Sequence, residues 1–175
     1  TFIAGELAEL RRRGVEVRIL SLLPPRAELQ HEIIRRAGLA ELTTYDVEKF
    51  PSVIREFQPQ LLHAHFATEA TAMARELSAT CSVPFTFTAH GYDIHRKPPA
   101  DFRARALAAR AVVTVSGANA DHIVHTFNVP KEHVRVIPCG VDTEQFCPPA
   151  RQNRASGQPP WIVCVARHVK VKNLG

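Results

Sequence analysis

None of the four cysteines, Cys81, Cys139, Cys147 and Cys164, forms a CxxC pair. That absence excludes a zinc framework of paired cysteines and leaves no obvious disulfide scaffold. A reducing, cytoplasmic compartment is the simplest reading, with Cys164 inside the run WIVCVA expected to act as a small hydrophobe. No apolar run approaches the roughly 20 residues a membrane-spanning helix needs, and no stretch of these residues reads as a signal peptide. The eight glycines are scattered. Neither GxGxxG nor GxxxxGK[ST] occurs, so NAD-type and P-loop phosphate cradles are unsupported. There is no internal repeat and no low-complexity tract.

What remains is a globular composition. Of 175 residues, 45% are hydrophobic and 22% charged, too apolar for disorder and sized for one domain, or one domain and the start of another. The net charge of +5 favours anionic partners. The cations are dispersed, however, and the densest run, Arg11-Arg12-Arg13, precedes Gly14 at an apparent helix end. There it would complement the helix dipole rather than bind a ligand.

Thr1 to Arg13 reads as a helix, with Phe2, Ile3, Leu7 and Leu10 on one face and Gly14 as a stop. Val15 to Leu23 reads as a strand ended by Pro24-Pro25. Ile33, Ile34 and Ala37 suggest a helix closed near Gly38, and Val47 to Phe57 another with Pro51 in its first turns. A strand over Leu61–Phe66 and a helix over Thr68–Ala79 follow. The strand at Phe85 stops at the polar loop His90–Pro99. Asp101 is a plausible cap for a helix to Arg110, and Ala111–Val115 is a strand ending at Ser116. A helix over Asn119–Phe127 and a strand over Val134–Ile137 complete the series. This alternation predicts an α/β fold, a Rossmann-like doubly wound parallel sheet. Residues 1–149 form that domain, 150–160 a polar linker, and 161–175, opening with a strand at Trp161–Val165, the start of a second domain.

Three features could carry chemistry. The stretch FTFTAHGYDI puts His90 and Gly91 at a strand's carboxyl edge, where parallel α/β sheets bind ligands. An imidazole there can exchange hydrogen bonds near neutral pH, and Gly91 would let backbone approach a ligand or turn sharply. The alternative is a loop histidine that only packs. His63-Ala64-His65 places two rings on one strand face. With His90 they could form a metal-dependent hydrolase site, but no carboxylate stands close by. One buried, hydrogen-bonded histidine and one lining a cleft is the favoured reading. Arg167, Lys170 and Lys172 beyond the last strand suit a diphosphate, or are a solvated basic loop.

Taken in this order, TFIAGELAELRRRGVEV, LLHAHF, FTFTAHGYDI, VTVSGANADHIVHTFNVPKEHVRVIPCGVDTEQFCP and VCVARHVKVKNLG resemble the GT-B glycosyltransferases. The likeness is to the retaining family 4 enzymes of bacterial polysaccharide and lipopolysaccharide synthesis. The resemblance implies an N-terminal GT-B domain followed by the first strand of a second Rossmann-like domain. It also implies transfer of a sugar from a nucleotide-diphosphate donor to a hydroxyl of a glycan or lipid-linked acceptor (a hexosyltransferase type), with no cofactor, metal or nucleic acid. By this resemblance His90 is catalytic, contacting the donor sugar, with Gly91 its partner. Arg167 and Lys172 neutralise the diphosphate. His65, Asp93 and Ser116 line the same edge as substrate-binding residues. Closure of the two domains about Pro138–Pro160 would exclude water. The resemblance places a strand ahead of Thr1 and further donor-binding elements after Gly175, so the chain reads as a fragment, inactive alone. A cytoplasmic enzyme with peripheral contact on the inner face of the membrane is expected. Because a fold does not fix its function, a GT-B nucleotide-sugar epimerase is the other alternative.

Overall fold

A computed structural model describes residues 2–24, 31–144, 146–147 and 163–166. The chain divides into two compact units, Thr1–Val141 and Asp142–Gly175. In the first, helix α1 (Phe2–Arg12) precedes strand β1 (Ile19–Leu20), helix α2 (Glu32–Arg36) and strand β2 (Thr43–Thr44). A 3-10 turn at Val47–Lys49 enters α3 (Phe50–Phe57), and then β3 (Leu62–His65), α4 (Glu69–Cys81) and β4 (Phe85–Ala89) follow. One π-helical turn (Tyr92–Arg96) leads to α5 (Phe102–Ala108), β5 (Ala111–Thr114), α6 (Gly117–Phe127) and β6 (Val134–Val136). Every ladder is parallel. β1 pairs with β2, and β3-β4-β5-β6 form a four-stranded sheet flanked by helices. This is the expected Rossmann-like layer.

Alternation along β4 decides where the core lies. Phe85, Phe87 and Ala89 face inward, with Ala64 of β3, Val112 of β5 and Val134 of β6, against Ala74, Phe102, Ala106 and Ile123 of the helices. Phe102 joins the layers, standing edge-on to Phe87 with ring centroids 5.9 Å apart and stacking on Phe127 at 4.2 Å. Burying a phenylalanine this completely contributes about 1.5–3 kcal/mol. A second cluster, Phe50, Ile54 and Leu77, is flanked by Leu20, Leu22 and Leu62. β1 and β3 thus pack on one apolar group, although no ladder joins them.

Several expectations need correction. The strand over Val15–Leu23 shrinks to Ile19–Leu20, because only the two-residue ladder with β2 holds it and Val15 is exposed. His90–Pro99 is not an irregular loop but contains the π-helical turn. Asp101 stands at the N-cap position of α5 as expected, but its side chain makes no capping bond; its carboxylate takes the Arg105 Nε–H at 2.8 Å instead. Val163, Cys164 and Val165 form no strand. Val163 and Val165 are 77% and 94% exposed, and Cys164 is exposed too, so it is not a core residue. Trp161, Ile162 and the 150–160 linker lie outside the described residues. Arg12 and Arg13 both grip Glu9, and Arg11 donates to the Ala37 carbonyl. The arginine run is therefore structural.

Candidate functional site

The parallel register pairs His63 with Thr86 and His65 with Thr88. Because side chains alternate along a strand, burying Ala64 and Phe87 turns both histidines and both threonines to the opposite face. His63 spans the two hydroxyls there, with Nδ1 2.8 Å from Thr86 Oγ1 and Nε2 2.9 Å from Thr88 Oγ1. A neutral imidazole has one N–H and one lone pair, so both ring nitrogens of His63 are taken. His65 is different. Its Nε2 lies 3.9 Å from Glu6 Oε2, and its Nδ1 is buried without a partner among the described residues.

His90 stands just past β4. Its ring packs on Phe66 at 4.6 Å and Phe2 at 5.2 Å, and lies nearly parallel to His65 at 6.1 Å. Its Nε2 is also buried and unpartnered among the described residues. Buried polar atoms are almost always hydrogen-bonded, so two neighbouring imidazoles with unused ring nitrogens mark this place as chemically unusual. The site lies on the protein surface. Two open depressions, of 270 Å³ and 360 Å³, lie elsewhere and include no histidine.

Asp93 explains how His90 is held. Its fully buried carboxylate accepts the His90 N–H at 2.9 Å through Oδ1 and the Ala67 N–H at 2.6 Å through Oδ2. It ties the ends of β3 and β4 together, so its oxygens are committed to backbone rather than to a substrate. Between those ends Phe66 has φ +71, a left-handed conformation costly for a bulky residue. The corner is fixed from all sides. The Phe66 N–H donates to the Thr88 carbonyl, the Thr71 hydroxyl to the Phe66 carbonyl, and Arg105 Nη1 to the carbonyls of Ala67 and Thr68.

Gly91 has ordinary helical angles, φ −61 and ψ −33, and an added Cβ would meet nothing within 4 Å. The turn does not demand glycine. Ser116 caps α6, its Oγ accepting the Asn119 N–H at 3.2 Å. α6 is stapled to the π-helical turn by His95 Nε2 to Asn119 Oδ1 at 3.1 Å and His122 Nε2 to the Ile94 carbonyl at 3.0 Å. Arg167 and Lys172 lie outside the described residues. The structure therefore gathers His65, His90, Gly91 and Asp93 at one edge, while Ser116 serves its own helix.

Electrostatics follow burial. Desolvation lowers the pKa of His63, and neighbouring His90 adds to the shift. It takes His65 down to about 4, helped by His63 and His90, and it lowers His90 against the opposing pull of Asp93. Burial raises Glu6. The three rings are neutral hydrogen-bonding groups at neutral pH. Glu6, Phe2, Phe66 and Arg105 escaped the sequence reading. Phe2 reads as part of the apolar face of α1, and nothing local marks the other three.

The model of Glycosyltransferase Family 4 matches residues 1–145. The chain belongs to that family. No curated protein matches it. Family membership brings a glycosyltransferase-type function, with a sugar donor and an acceptor as substrates in general. The hydrolase alternative loses its first ligand, because both nitrogens of His63 are engaged by threonines. Among the described residues no three His, Cys, Asp or Glu side chains are arranged to hold a metal ion. No described helix is long and apolar enough to cross a membrane.

Proposed function

We propose that the protein is a retaining glycosyltransferase moving a sugar from a nucleotide-diphosphate sugar to a hydroxyl of a glycan or lipid-linked acceptor. The observation that carries this reading is His90, at the carboxyl end of β4 with a buried Nε2 that has no partner among the described residues, in a chain of this family. Its imidazole hydrogen-bonds the donor sugar and orients it toward the acceptor. Gly91, with open space where a Cβ would stand, leaves room for a ligand against the backbone. Asp93 is a positioning residue, fixing the His90 backbone. In transfer, the bond from the anomeric carbon to the diphosphate oxygen breaks with its electron pair leaving on the diphosphate, a bond to the acceptor oxygen forms, and the acceptor hydroxyl's proton passes to the departing diphosphate. The departing diphosphate carries most of the developing negative charge. Arg167 and Lys172 neutralise it electrostatically. A cytoplasmic role in polysaccharide or lipopolysaccharide assembly, with peripheral contact to an anionic membrane, fits the basic balance of the chain.

The test is a panel of nucleotide-diphosphate sugars against the full-length protein, read by ligand-induced thermal shift. At least one is expected to raise the melting temperature. Arg167→Ala with Lys172→Ala should abolish that shift. If no member of the panel moves the melting temperature at saturation, the reading falls.

A further inference from the structure

Two glutamates of α1 have opposite surroundings. Glu9 is gripped by Arg12 and Arg13 at 2.6 Å and 2.7 Å, and these guanidiniums hold its carboxyl down at about 2. Glu6 has no lysine or arginine within ion-pair distance among the described residues. Its single ionisable neighbour there is His65, and burial pushes its carboxyl up. Phe2 lies four residues before Glu6, on the same stripe of the helix, with its ring centroid 6.2 Å from His65 and 5.2 Å from His90. Helix α1 thus brings a carboxylate and an aromatic ring to the two histidines that have unused nitrogens.

The 3.9 Å between Glu6 Oε2 and His65 Nε2 is too long for a hydrogen bond. It is short enough for one hydroxyl to touch both atoms. A hydroxyl both donates and accepts: it can give its proton to Glu6 Oε2 while taking the N–H of His65 in the Nε2–H tautomer. Water can do this, but beside it stands Phe2, 46% exposed, with an apolar ring. A carboxylate, an imidazole and a ring face together match a pyranose, which carries hydroxyls on its rim and C–H groups on its faces.

We propose that Glu6 and His65 form the hydroxyl-recognition subsite for the acceptor saccharide, with Phe2 as its apolar wall, making Glu6 a specificity-determining residue. The proposal rests on the glycosyltransferase reading above. It is tested on the full-length protein by saturation-transfer NMR with methyl glucoside, methyl galactoside and methyl mannoside, comparing wild type, Glu6→Gln and Glu9→Gln. At least one glycoside should bind wild type and Glu9→Gln alike. It should bind the isosteric Glu6→Gln about tenfold more weakly, the loss expected for one hydrogen bond to a charged group, at an unchanged melting temperature. Equal binding to Glu6→Gln, or no glycoside bound by wild type, overturns the subsite. Nucleotide-sugar thermal shifts on the same samples separate the two claims. A shift kept in wild type and both variants alongside Glu6-independent glycoside binding sinks the subsite alone. Glu6-dependent glycoside binding with no nucleotide-sugar shift sinks the transferase reading and leaves the saccharide subsite standing.

Discussion

Asp93 is the residue whose role changed most between sequence and structure. In FTFTAHGYDI it is a polar group near a strand end, and resemblance made it a substrate contact. In the folded chain it is fully buried, and each oxygen takes one backbone N–H. Asp93→Asn puts an amide donor against one of those donors, and should cost about 1–3 kcal/mol in urea unfolding, with nucleotide-sugar binding weakened through a displaced His90. Gly91→Ala should do the reverse. Its helical angles tolerate alanine, so stability should rise by about 0.4–1 kcal/mol. Loss of ligand-induced thermal shift in that variant would report close approach of ligand to the backbone. The histidines supply a pH signature. His65 has an ordinary pKa of 6.5 and a folded one of about 4, so below 6.5 the unfolded chain binds the proton first. Stability should therefore be full above pH 6.5 and fall progressively toward pH 4. His63→Gln with His65→Gln should flatten that part of a melting-temperature profile. Single side chains such as His90 could be singled out from position alone. Glu6 could not, because its meaning depends on a histidine 59 positions away that only folding brings near.

At the scale of elements, period-two alternation was legible in β4 and in HAH of β3, and it correctly set the histidines on one face. What sequence could not supply was the register, which gives His63 its two threonines and so separates it from His65. Helix cores were legible, but their ends were less so. α3, α4 and α6 are all followed by non-glycine residues in the left-handed region, Gln58 at φ 50, Ser82 at φ 55 and Asn128 at φ 51. No glycine marked these stops. Ser82→Gly should relieve backbone strain and raise the unfolding free energy by a few tenths to about 1 kcal/mol. An unchanged or lower urea midpoint would show that Ser82 makes a compensating contact. The π-helical turn at Tyr92–Arg96 had no signal either. It exists because Asp93 is drawn to one side while Ile94 and His95 are bonded to α6 on the other.

For the whole molecule, alternating strands and helices with short connections made the parallel sheet readable, and the motif order made the family readable. The weak part was the chain between Val15 and Thr44. There the strands are two residues long, and packing on Phe50, Ile54 and Leu77 contributes more than pattern. The central sheet depends on Phe87. Phe87→Ala should cost about 3–5 kcal/mol, seen as a large drop in urea midpoint, whereas His90→Ala, at the edge of the fold, should leave that midpoint close to wild type. This contrast supports the most direct measurement. Nucleoside diphosphate released from nucleotide sugars is followed in the full-length protein with a glycan acceptor present, for wild type and His90→Ala. The account predicts release from at least one donor, reduced about 100-fold or more by His90→Ala, the scale of losing one preorganised polar group at a reaction centre. Wild-type turnover in a folded His90→Ala variant would contradict it.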